Sequence, residues 1–544
     1  MGEMDKGQGA IVLNQMTPME QAQWAIEELI RYALSKRLMG KLDCPYVRNV
    51  LLDMFQLAEP WTGYEATYKT STEAANTPHQ LLGLLLDYGQ VIGLISDHST
   101  TQRDLLDARI MGVLMSRPSE TEAAFRRTER ESGIAQATNE FYRLCVDSNY
   151  IRMDRVQNND YWLYESKYGV FEMTINVSKP EKSPQEIAEA RQAAVSHYPS
   201  CLLCVDNVGY GGRANHPARQ NLRVIPLTLH GEAWHFQYSP YVYYNEHSIV
   251  LRHDHVPMKL TKATFHRLLD FTEQFPHYFI GTNADLPIVG GSILSHDHFQ
   301  AGRHTFPIER AIAERTFVYP QDEEIQVSIV RWPMSVLRIS GHERERLIEV
   351  AYTIFTAWQV YTDPEVGIIA FTEEGNSRIP HNTVTPIVRR RGTAYEVDLV
   401  LRNNRTSSEY PEGIFHPHHE MHHIKQENVG LIEVMGLAIL PARLQQSSKL
   451  IATLLTGEQS WEQYKANMQA HDPLAVHRVW IDSLIARYGS DNSLQHAEHL
   501  IKQEIGHTFV EILGQAGVFK RNAEGQAAFE RFINYLGLTD SSIN

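Results

Sequence analysis

The stretch "FPHYFIGTNADLPIVGGSILSHDHFQAG", residues 275–302, decides the fold, because apolar strand-like runs here enclose a polar loop rich in glycine and histidine. Its composition predicts strand and loop rather than helix. Side chains in a strand alternate between two faces, so an extended 295–300 would place His296, His298 and Gln300 on one face. That face would carry two imidazoles and an amide in a row.

The glycines just upstream suggest what such a face could do. Gly290, Gly291 and Ser292 would let backbone N–H groups approach an anion closely, because glycine has no Cβ. A neutral imidazole beside a phosphate-binding loop is suited to attack phosphorus and form a covalent phosphoramidate. The alternative is an ordinary strand that packs on a core, with the glycines in a turn.

Outward from this stretch, the hydrophobic pattern changes twice along the chain, near residues 150 and 446. Residues 1–150 have helical periodicity, and the first helix has an N-cap at Thr17, Pro18 at its first position and Glu20 to complete a capping box. Two regions of similar length, about 155–320 and 325–445, share a strand–helix–strand character, which suggests a duplicated fold. We therefore predict four parts: a helical region 1–150, two mixed halves 151–324 and 325–445, and a helical region 446–544.

Bulk composition excludes several classes of protein. The 544 residues are 43% hydrophobic and 21% charged, with a net charge of −15, so a nucleic-acid binder, which needs a basic surface, is not expected. No apolar run approaches the length of a membrane span, and the N-terminus lacks a secretory signal pattern. Four cysteines do not form a disulfide framework in a chain of this size, so we expect a cytoplasmic, reducing location.

Two further motifs allow for a metal. Cys201 and Cys204 have the spacing of two zinc ligands, although a lone C-x-x-C is only half a site and is equally explained by two reduced, buried thiols. The run "HPHHEMHH" at 416–423 would pair its histidines four residues apart if it were helical. A solvated polar segment is the favoured interpretation of that run, and a phosphate-facing role for one histidine stays open.

Several segments together resemble one enzyme family, the galactose-1-phosphate uridylyltransferases, in their longer bacterial form. The resemblance spans essentially the whole chain and is carried by "CLLC", "NHPARQN", "SPYVYYNEH", the 275–302 stretch, "LVLRNNRTS" and "KQENVGLIEVMGLAILP". It implies an α+β fold of two histidine-triad-like antiparallel-sheet halves with packed helices, plus helical N- and C-terminal extensions. It also implies a homodimer without an organic cofactor.

The resemblance further implies a ping-pong transfer of UMP. His298 would be the nucleophile that takes UMP from UDP-glucose, releases glucose 1-phosphate, and passes UMP to galactose 1-phosphate to give UDP-galactose. Gln300 would hold phosphoryl oxygens, where related histidine-triad hydrolases carry a third histidine; an amide cannot exchange protons at neutral pH. Asn283 and the Gly290–Ser292 loop would line the nucleotide phosphates.

The remaining implied roles concern the sugar and a metal. Lys425 to Glu433 resemble hexose-phosphate contacts. A structural zinc would be held by Cys201, Cys204, His255 and His296, so that His296 braces the loop that carries His298. The competing functions are a histidine-triad nucleotide hydrolase or phosphorylase, and a catalytically silent nucleotide-sugar-binding protein.

Overall fold

This computed structural model describes residue 13 and residues 15–62, 77–96, 99–177, 196–291, 293–469 and 471–540. The chain divides into two compact units. The first contains Met1–Gln157, Pro180–Leu227 and Trp234–Val242; the second contains Asn158–Lys179, Thr228–Ala233 and Tyr243–Asn544. Among the described residues, no helix combines the length and apolar character that crossing a membrane requires.

The first unit is built on helices. They are α1 (Pro18–Ser35), α2 (Cys44–Met54), α3 (His79–Val91), α4 (Thr100–Val113), α5 (Pro118–Ser132), α6 (Ile134–Asp147) and α7 (Met153–Val156). The capping box predicted for α1 is confirmed, because Thr17 accepts from the Glu20 backbone N–H while Glu20 accepts from the Thr17 N–H. Leu29, Leu51 and Leu85 are fully buried in a core that α1 to α4 share.

Strands dominate the centre of the second unit. They are β1 (Asp160–Ser166), β2 (Gly169–Ile175), β3 (Ile225–Leu229), β4 (Glu232–Tyr238), β5 (Ser248–Arg252), β6 (Phe279–Gly281), β7 (His298–Gly302), β8 (Ala313–Tyr319), β9 (Asp322–Val330), β10 (Val336–Gly341), β11 (Phe371–Glu374), β12 (Ser377–Pro380), β13 (Asn382–Arg391), β14 (Ala394–Asn403), β15 (Leu437–Leu440) and β16 (Thr539–Asp540). The chain passes between the two units within β3 and β4.

The helices of the second unit follow the same chain order. They are α8 (Lys262–Gln274), α9 (Pro307–Arg310), α10 (Arg344–Val360), α11 (Leu431–Val434), α12 (Arg443–Leu455), α13 (Trp461–Asn467), α14 (Arg478–Tyr488), α15 (Leu494–Ala516) and α16 (Ala523–Tyr535). With the sheets described next, they confirm the predicted α+β class.

The large sheet has the strand order β16-β8-β9-β10-β14-β13-β6-β7-β5, which β4 and β3 continue. The pairs from β16 to β5 are antiparallel. Two pairings join the mixed regions predicted from sequence: that of β13 with β6, where Ile387 lies opposite Gly281, and that of β8 with β9. The small sheet has the order β1-β2-β15.

One helix from each mixed region covers this sheet. The helix α8 packs on β6 and β13, and α10 packs on β10, β13 and β14. Phe265 and Phe355 join the two helices with ring centroids 6.2 Å apart. Each region therefore has the strand–helix–strand character that its hydrophobic pattern predicted.

A second layer of packing ties the C-terminal helices to the sheet. Nearly every residue of β14 is buried, so both of its faces are covered. Phe171 stacks on Trp332 at 4.7 Å and meets Phe509 of α15 at 6.2 Å. The Trp332 indole N–H donates to the Val434 carbonyl at 2.9 Å. The same apolar core contains buried residues of α12, α14 and α15, so the C-terminal helices are part of this unit's core.

A buried charge cluster crosses β10, β13 and β14. Asp398 is fully buried and accepts two hydrogen bonds from Arg338, at 2.7 and 3.0 Å, and one from Arg389 at 2.7 Å. Burial acts to raise the pKa of Asp398, but Arg389 and Arg338 hold it below its usual value. Two guanidinium groups inside the sheet therefore share this carboxylate and that of the buried Glu396.

We expect Asp398→Asn to lower the free energy of unfolding by about 3–5 kcal/mol, because it leaves two buried arginines with Glu396 as their remaining buried counter-charge. Urea unfolding followed by circular dichroism measures this change. Glu324→Gln is the matched control, because Glu324 pairs with Arg346 on the surface and should cost under about 0.5 kcal/mol. Equal losses in the two variants would contradict a stabilising role for the buried cluster.

Candidate active site

The strand that carries the predicted nucleophile begins later than the sequence suggested. It starts at His298, so His298 and Gln300 share a face of β7 while His296 lies in a bend before it. The reason lies in contacts with a distant segment: the Asp297 N–H donates to the Val256 carbonyl at 2.7 Å, and its carbonyl accepts from the Arg252 N–H at 3.0 Å. These two bonds hold the backbone across the bend.

His298 is buried and its ring has one fixed anchor. Its Nδ1 lies 2.8 Å from the His296 carbonyl oxygen, so Nδ1 carries the proton and donates it there. Burial lowers the pKa of His298 to about 4, which keeps the imidazole neutral at physiological pH. In a neutral ring with the proton on Nδ1, the lone pair is on Nε2, which is the form that a nucleophilic histidine needs.

Gln300 follows two residues later on the same strand. Its backbone is held between Ile249 of β5 and Gly281 of β6. The side-chain Oε1 is buried and has no hydrogen-bond partner in the described part of the chain. A buried amide oxygen without a partner is costly in a folded protein, so this atom is a candidate ligand contact.

His296 is fully buried, and its ring is hydrogen-bonded through Nε2, whereas that of His298 is hydrogen-bonded through Nδ1. Its Nε2 donates to the Arg252 carbonyl at 2.8 Å, which leaves the lone pair on Nδ1. The His255 ring lies 4.8 Å away, centroid to centroid. A histidine that donates one nitrogen to a carbonyl and presents the other is arranged as metal-binding histidines usually are.

The C-x-x-C motif forms a compact sulfur pair. The sulfur atoms of Cys201 and Cys204 are 3.5 Å apart, and the Asn207 amide donates to both backbone carbonyls at 2.8 Å. One ligand atom from each of Cys201, Cys204, His255 and His296 lies within 4.8 Å of the others, which makes these four residues a possible metal-binding group. Burial, followed by the neighbouring Cys201, raises the pKa of Cys204 to about 11, so metal binding must displace a proton.

The glycine loop owes its shape to close backbone contacts. A Cβ on Gly290 would lie 2.5 Å from the Ala284 carbonyl oxygen and 2.6 Å from that of Leu286. A Cβ on Gly291 would lie 2.6 Å from the Asn283 amide nitrogen. Both glycines are therefore required by packing, whatever their role towards a ligand. Ser292, which was predicted to join them, lies outside the described residues.

Asn283 connects this loop to a distant predicted segment. Its Oδ1 accepts from the Leu431 N–H at 2.8 Å. Glu433 accepts from the Gly430 N–H at 3.1 Å and pairs with Lys425 at 3.1 Å. The structure thus brings Asn283, the glycine loop and the predicted sugar-binding segment together, and it shows Lys425 and Glu433 bound to each other.

A charged group beside the histidines escaped the sequence analysis. Asp297 lies 3.5 Å from the Arg267 guanidinium, which also binds Glu232 through two hydrogen bonds of 2.8 and 3.1 Å. Burial raises the pKa of Asp297 to about 6, against the pull of Arg267. The signal available was a carboxylate between two histidines, but its partners come from other parts of the chain.

The segment 416–423 is not an α-helix, so the condition for pairing its histidines four residues apart is not met. Only His419–Met421 forms a short 3-10 helix there, so the spacing of four residues does not align the rings as an α-helix would. Tyr410 stacks on His418 at 4.2 Å, and Asn428 faces His416 at 3.1 Å.

Comparisons with known proteins identify the family. Residues 70–257 match the N-terminal domain of galactose-1-phosphate uridyl transferase and residues 270–470 match its C-terminal domain. The chain belongs to the galactose-1-phosphate uridylyltransferase family. This assignment makes it a nucleotidyltransferase and confirms the family resemblance found in the sequence.

Similar members of the family match almost end to end. The galactose-1-phosphate uridylyltransferase of Caldanaerobacter subterraneus is 51% identical, over 95% of this chain and 98% of its own length. Those of Halalkalibacterium halodurans and Bacillus subtilis are each 48% identical over 94% of this chain, and over 98% and 97% of their own lengths. Yeast Ap4A phosphorylase aligns at 11% identity with a TM-score of 0.29, over 68% of this chain and 92% of its own, which is too distant to carry an argument.

Gly290→Ala should disrupt the loop, because the new Cβ would meet two backbone oxygens that cannot move independently. We expect a loss of about 1–3 kcal/mol in the free energy of unfolding, measured in urea, together with reduced uridylyl transfer. Gly514→Ala is the control: it lies within α15 with nothing within 4 Å of the new Cβ, so it should be neutral or stabilise by up to about 1 kcal/mol. Wild-type stability in Gly290→Ala would show that the loop is not constrained in this way.

Proposed function

We propose that the protein transfers UMP from UDP-glucose to galactose 1-phosphate through a uridylyl intermediate on His298. The observation that carries the proposal is the Nδ1 hydrogen bond of His298 to the His296 carbonyl, which leaves a lone pair on Nε2. Membership of the family supports the substrates and the reaction. The assignment of the covalent step to His298 rests on this geometry and on the resemblance of the 290–302 motif.

The reaction consists of two displacements at the same phosphorus atom. In the first, His298 Nε2 attacks the α-phosphorus of UDP-glucose, a P–N bond forms, and the bond from that phosphorus to the bridging oxygen breaks to release glucose 1-phosphate. In the second, a phosphate oxygen of galactose 1-phosphate attacks the same phosphorus and the P–N bond breaks. The products are UDP-galactose and the original neutral imidazole.

Gln300 is proposed to bind the phosphoryl group during both displacements. Its side-chain amide is on the same face of β7 as His298, two residues along. Its NH₂ group can donate hydrogen bonds to phosphoryl oxygens. Its Oε1 has no hydrogen-bond partner among the described residues, so no hydrogen bond of this oxygen has to break when the side chain turns toward a ligand. Because an amide does not titrate near neutral pH, it supports the transferred group without activating water. This favours transfer over the alternative of hydrolysis.

The substrate contacts are proposals of the same kind. Asn283, Gly290, Gly291 and Ser292 would line the nucleotide phosphates, and Lys425 and Glu433 the hexose phosphate. The bond from Leu431 N–H to Asn283 supports a shared role, because it fixes the two predicted groups to each other. The Lys425–Glu433 pair would open or reorient when a sugar binds. We also propose a homodimer and a cytoplasmic location.

A structural zinc is proposed at Cys201, Cys204, His255 and His296. Two sulfurs and two imidazoles suit tetrahedral Zn²⁺, and their ligand atoms are close enough together. The metal would supply rigidity. The Arg252 carbonyl holds the ring of His296 by a hydrogen bond. The His296 carbonyl in turn orients the ring of His298.

The covalent step is tested by mixing the protein with UDP-glucose alone and recording its intact mass. We expect a UMP adduct that disappears when galactose 1-phosphate is added. His298→Gly should form no adduct and still bind UDP-glucose, and the exposed control His342→Gly should behave as wild type. Steady release of free UMP would favour the histidine-triad hydrolase, and an adduct in His298→Gly would refute the assignment of the nucleophile. Binding without adduct or turnover would favour a silent nucleotide-sugar-binding protein.

The metal is tested by elemental analysis of protein purified without chelators. We expect one zinc per chain, lost in Cys204→Ser together with thermal stability and part of the transfer activity. Cys44→Ser should retain the zinc, because Cys44 lies outside the proposed ligand group. Wild-type protein without stoichiometric zinc would contradict the proposed metal site. It would not affect the proposed covalent step.

A further inference from the structure

Arg443, the first residue of α12, is a cation without a counter-ion. It forms no ion pair with any described residue, and its Nη1 is buried without a hydrogen-bond partner. Its Nη2 reaches only the His422 carbonyl, at 3.4 Å. The first turn of α12 contains no acidic residue and no side-chain cap, so the positive end of the helix dipole adds to the charge.

Two imidazoles adjoin this guanidinium. The Nδ1 atoms of His423 and His477 lie 3.2 Å apart, so one of them donates its proton to the other. His477 is fully buried, and its Nε2 has no partner among the described residues. The Trp480 ring lies 5.1 Å from His423 and 5.7 Å from His477.

Among the described residues, neither imidazole forms an ion pair with a carboxylate. Burial, followed by Arg443, lowers the pKa of His423 to about 4. Burial, followed by His423 and Arg443, lowers the pKa of His477 to about 3. Among the described residues no carboxylate offsets the guanidinium, although a half-buried cation normally has a paired anion. The cluster therefore contains surplus positive charge and unused hydrogen-bond donors.

We propose that Arg443, His423 and His477 bind a phosphate-class oxyanion. A tetrahedral oxyanion gives the Arg443 Nη1–H an acceptor and supplies the missing negative charge. A divalent cation is disfavoured by the adjacent guanidinium. None of these three residues has a part in the transfer steps, and His423 precedes Lys425 by two positions in the chain. The oxyanion is therefore free phosphate or the phosphate group of a sugar 1-phosphate, and only the second possibility depends on the proposed function.

Access to the cluster is available from one side. His423, Arg443 and Trp480 are each half-buried, whereas His477 is fully enclosed. A small anion would meet the exposed part of the guanidinium first, and the buried Arg443 Nη1 would have to turn toward it before it could donate. The contact of Trp480 with both imidazoles makes its fluorescence a local reporter of binding.

The test is calorimetric titration of the full-length protein with inorganic phosphate in a phosphate-free buffer. We expect saturable binding that is tenfold to a hundredfold weaker in Arg443→Met, the loss typical of a charged hydrogen bond. Arg478→Met is the matched control, because Arg478 is exposed beside His477 in sequence and should leave the affinity unchanged. Phosphate should also quench or enhance a fluorescence component that is absent from Trp480→Phe.

Three further arms make the result decisive. His298→Gly should bind phosphate as wild type does, so failure of the transfer mechanism does not affect this test. His423→Leu replaces Arg443→Met if circular dichroism shows that the latter has not folded. If galactose 1-phosphate competes with phosphate for the cluster, the ligand is a sugar phosphate. If galactose 1-phosphate does not compete, the ligand is free phosphate. Undiminished binding in Arg443→Met or His423→Leu, or equal loss in Arg478→Met, would overturn the proposal.

Discussion

The hydrogen bond from His298 Nδ1 to the His296 carbonyl is the constraint on which the site depends. One bond of 2.8 Å fixes the rotation of a buried ring and decides which nitrogen has the lone pair. It works because His296 is itself immobile, through its own bond to the Arg252 carbonyl. Each histidine thus presents a different nitrogen, and the two rings are prepared for different tasks although they are separated by a single residue.

The glycine loop before the histidines has its shape because two of its residues have no side chain. Gly290 lies against two carbonyl oxygens and Gly291 against the Asn283 amide, at distances where no side chain fits. Ile288, just before them, has a φ of 71°, a left-handed conformation that is costly for a β-branched residue. The Ile288 side chain lies close to Gly413, since a Cβ on Gly413 would be 3.0 Å from it. Such close packing restricts the loop, and the proposed binding of phosphate groups needs a restricted loop.

Local sequence signals predicted the elements of this fold well. The Thr17–Glu20 capping box and the strand–helix–strand character of the regions 155–320 and 325–445 each depend on neighbouring residues, and the structure confirms them. The family resemblance supplied the candidate site, including four cysteine and histidine residues whose ligand atoms do lie together. The division of the chain at 150, 324 and 445 stays a prediction.

Long-range contacts explain what local signals could not give. The start of β7 at His298 is set by backbone bonds from Asp297 to Val256 and Arg252, 41 and 45 residues away (297 − 256 and 297 − 252). The partner of Asn283 is 148 residues distant. The cluster of Arg443 and His477 joins the end of the predicted mixed region 325–445 to the predicted helical region 446–544. Such pairings follow from tertiary packing, which the hydrophobic periodicity of a single segment does not predict.

The most direct test of the account is the stereochemical course at the α-phosphorus. UDP-glucose made chiral at that atom by sulfur substitution would be converted in the presence of galactose 1-phosphate, and the configuration of the product determined by phosphorus NMR. Each in-line displacement inverts the phosphorus, so two displacements through His298 predict overall retention. Inversion would mean direct transfer between the two substrates and would contradict the central role given to His298.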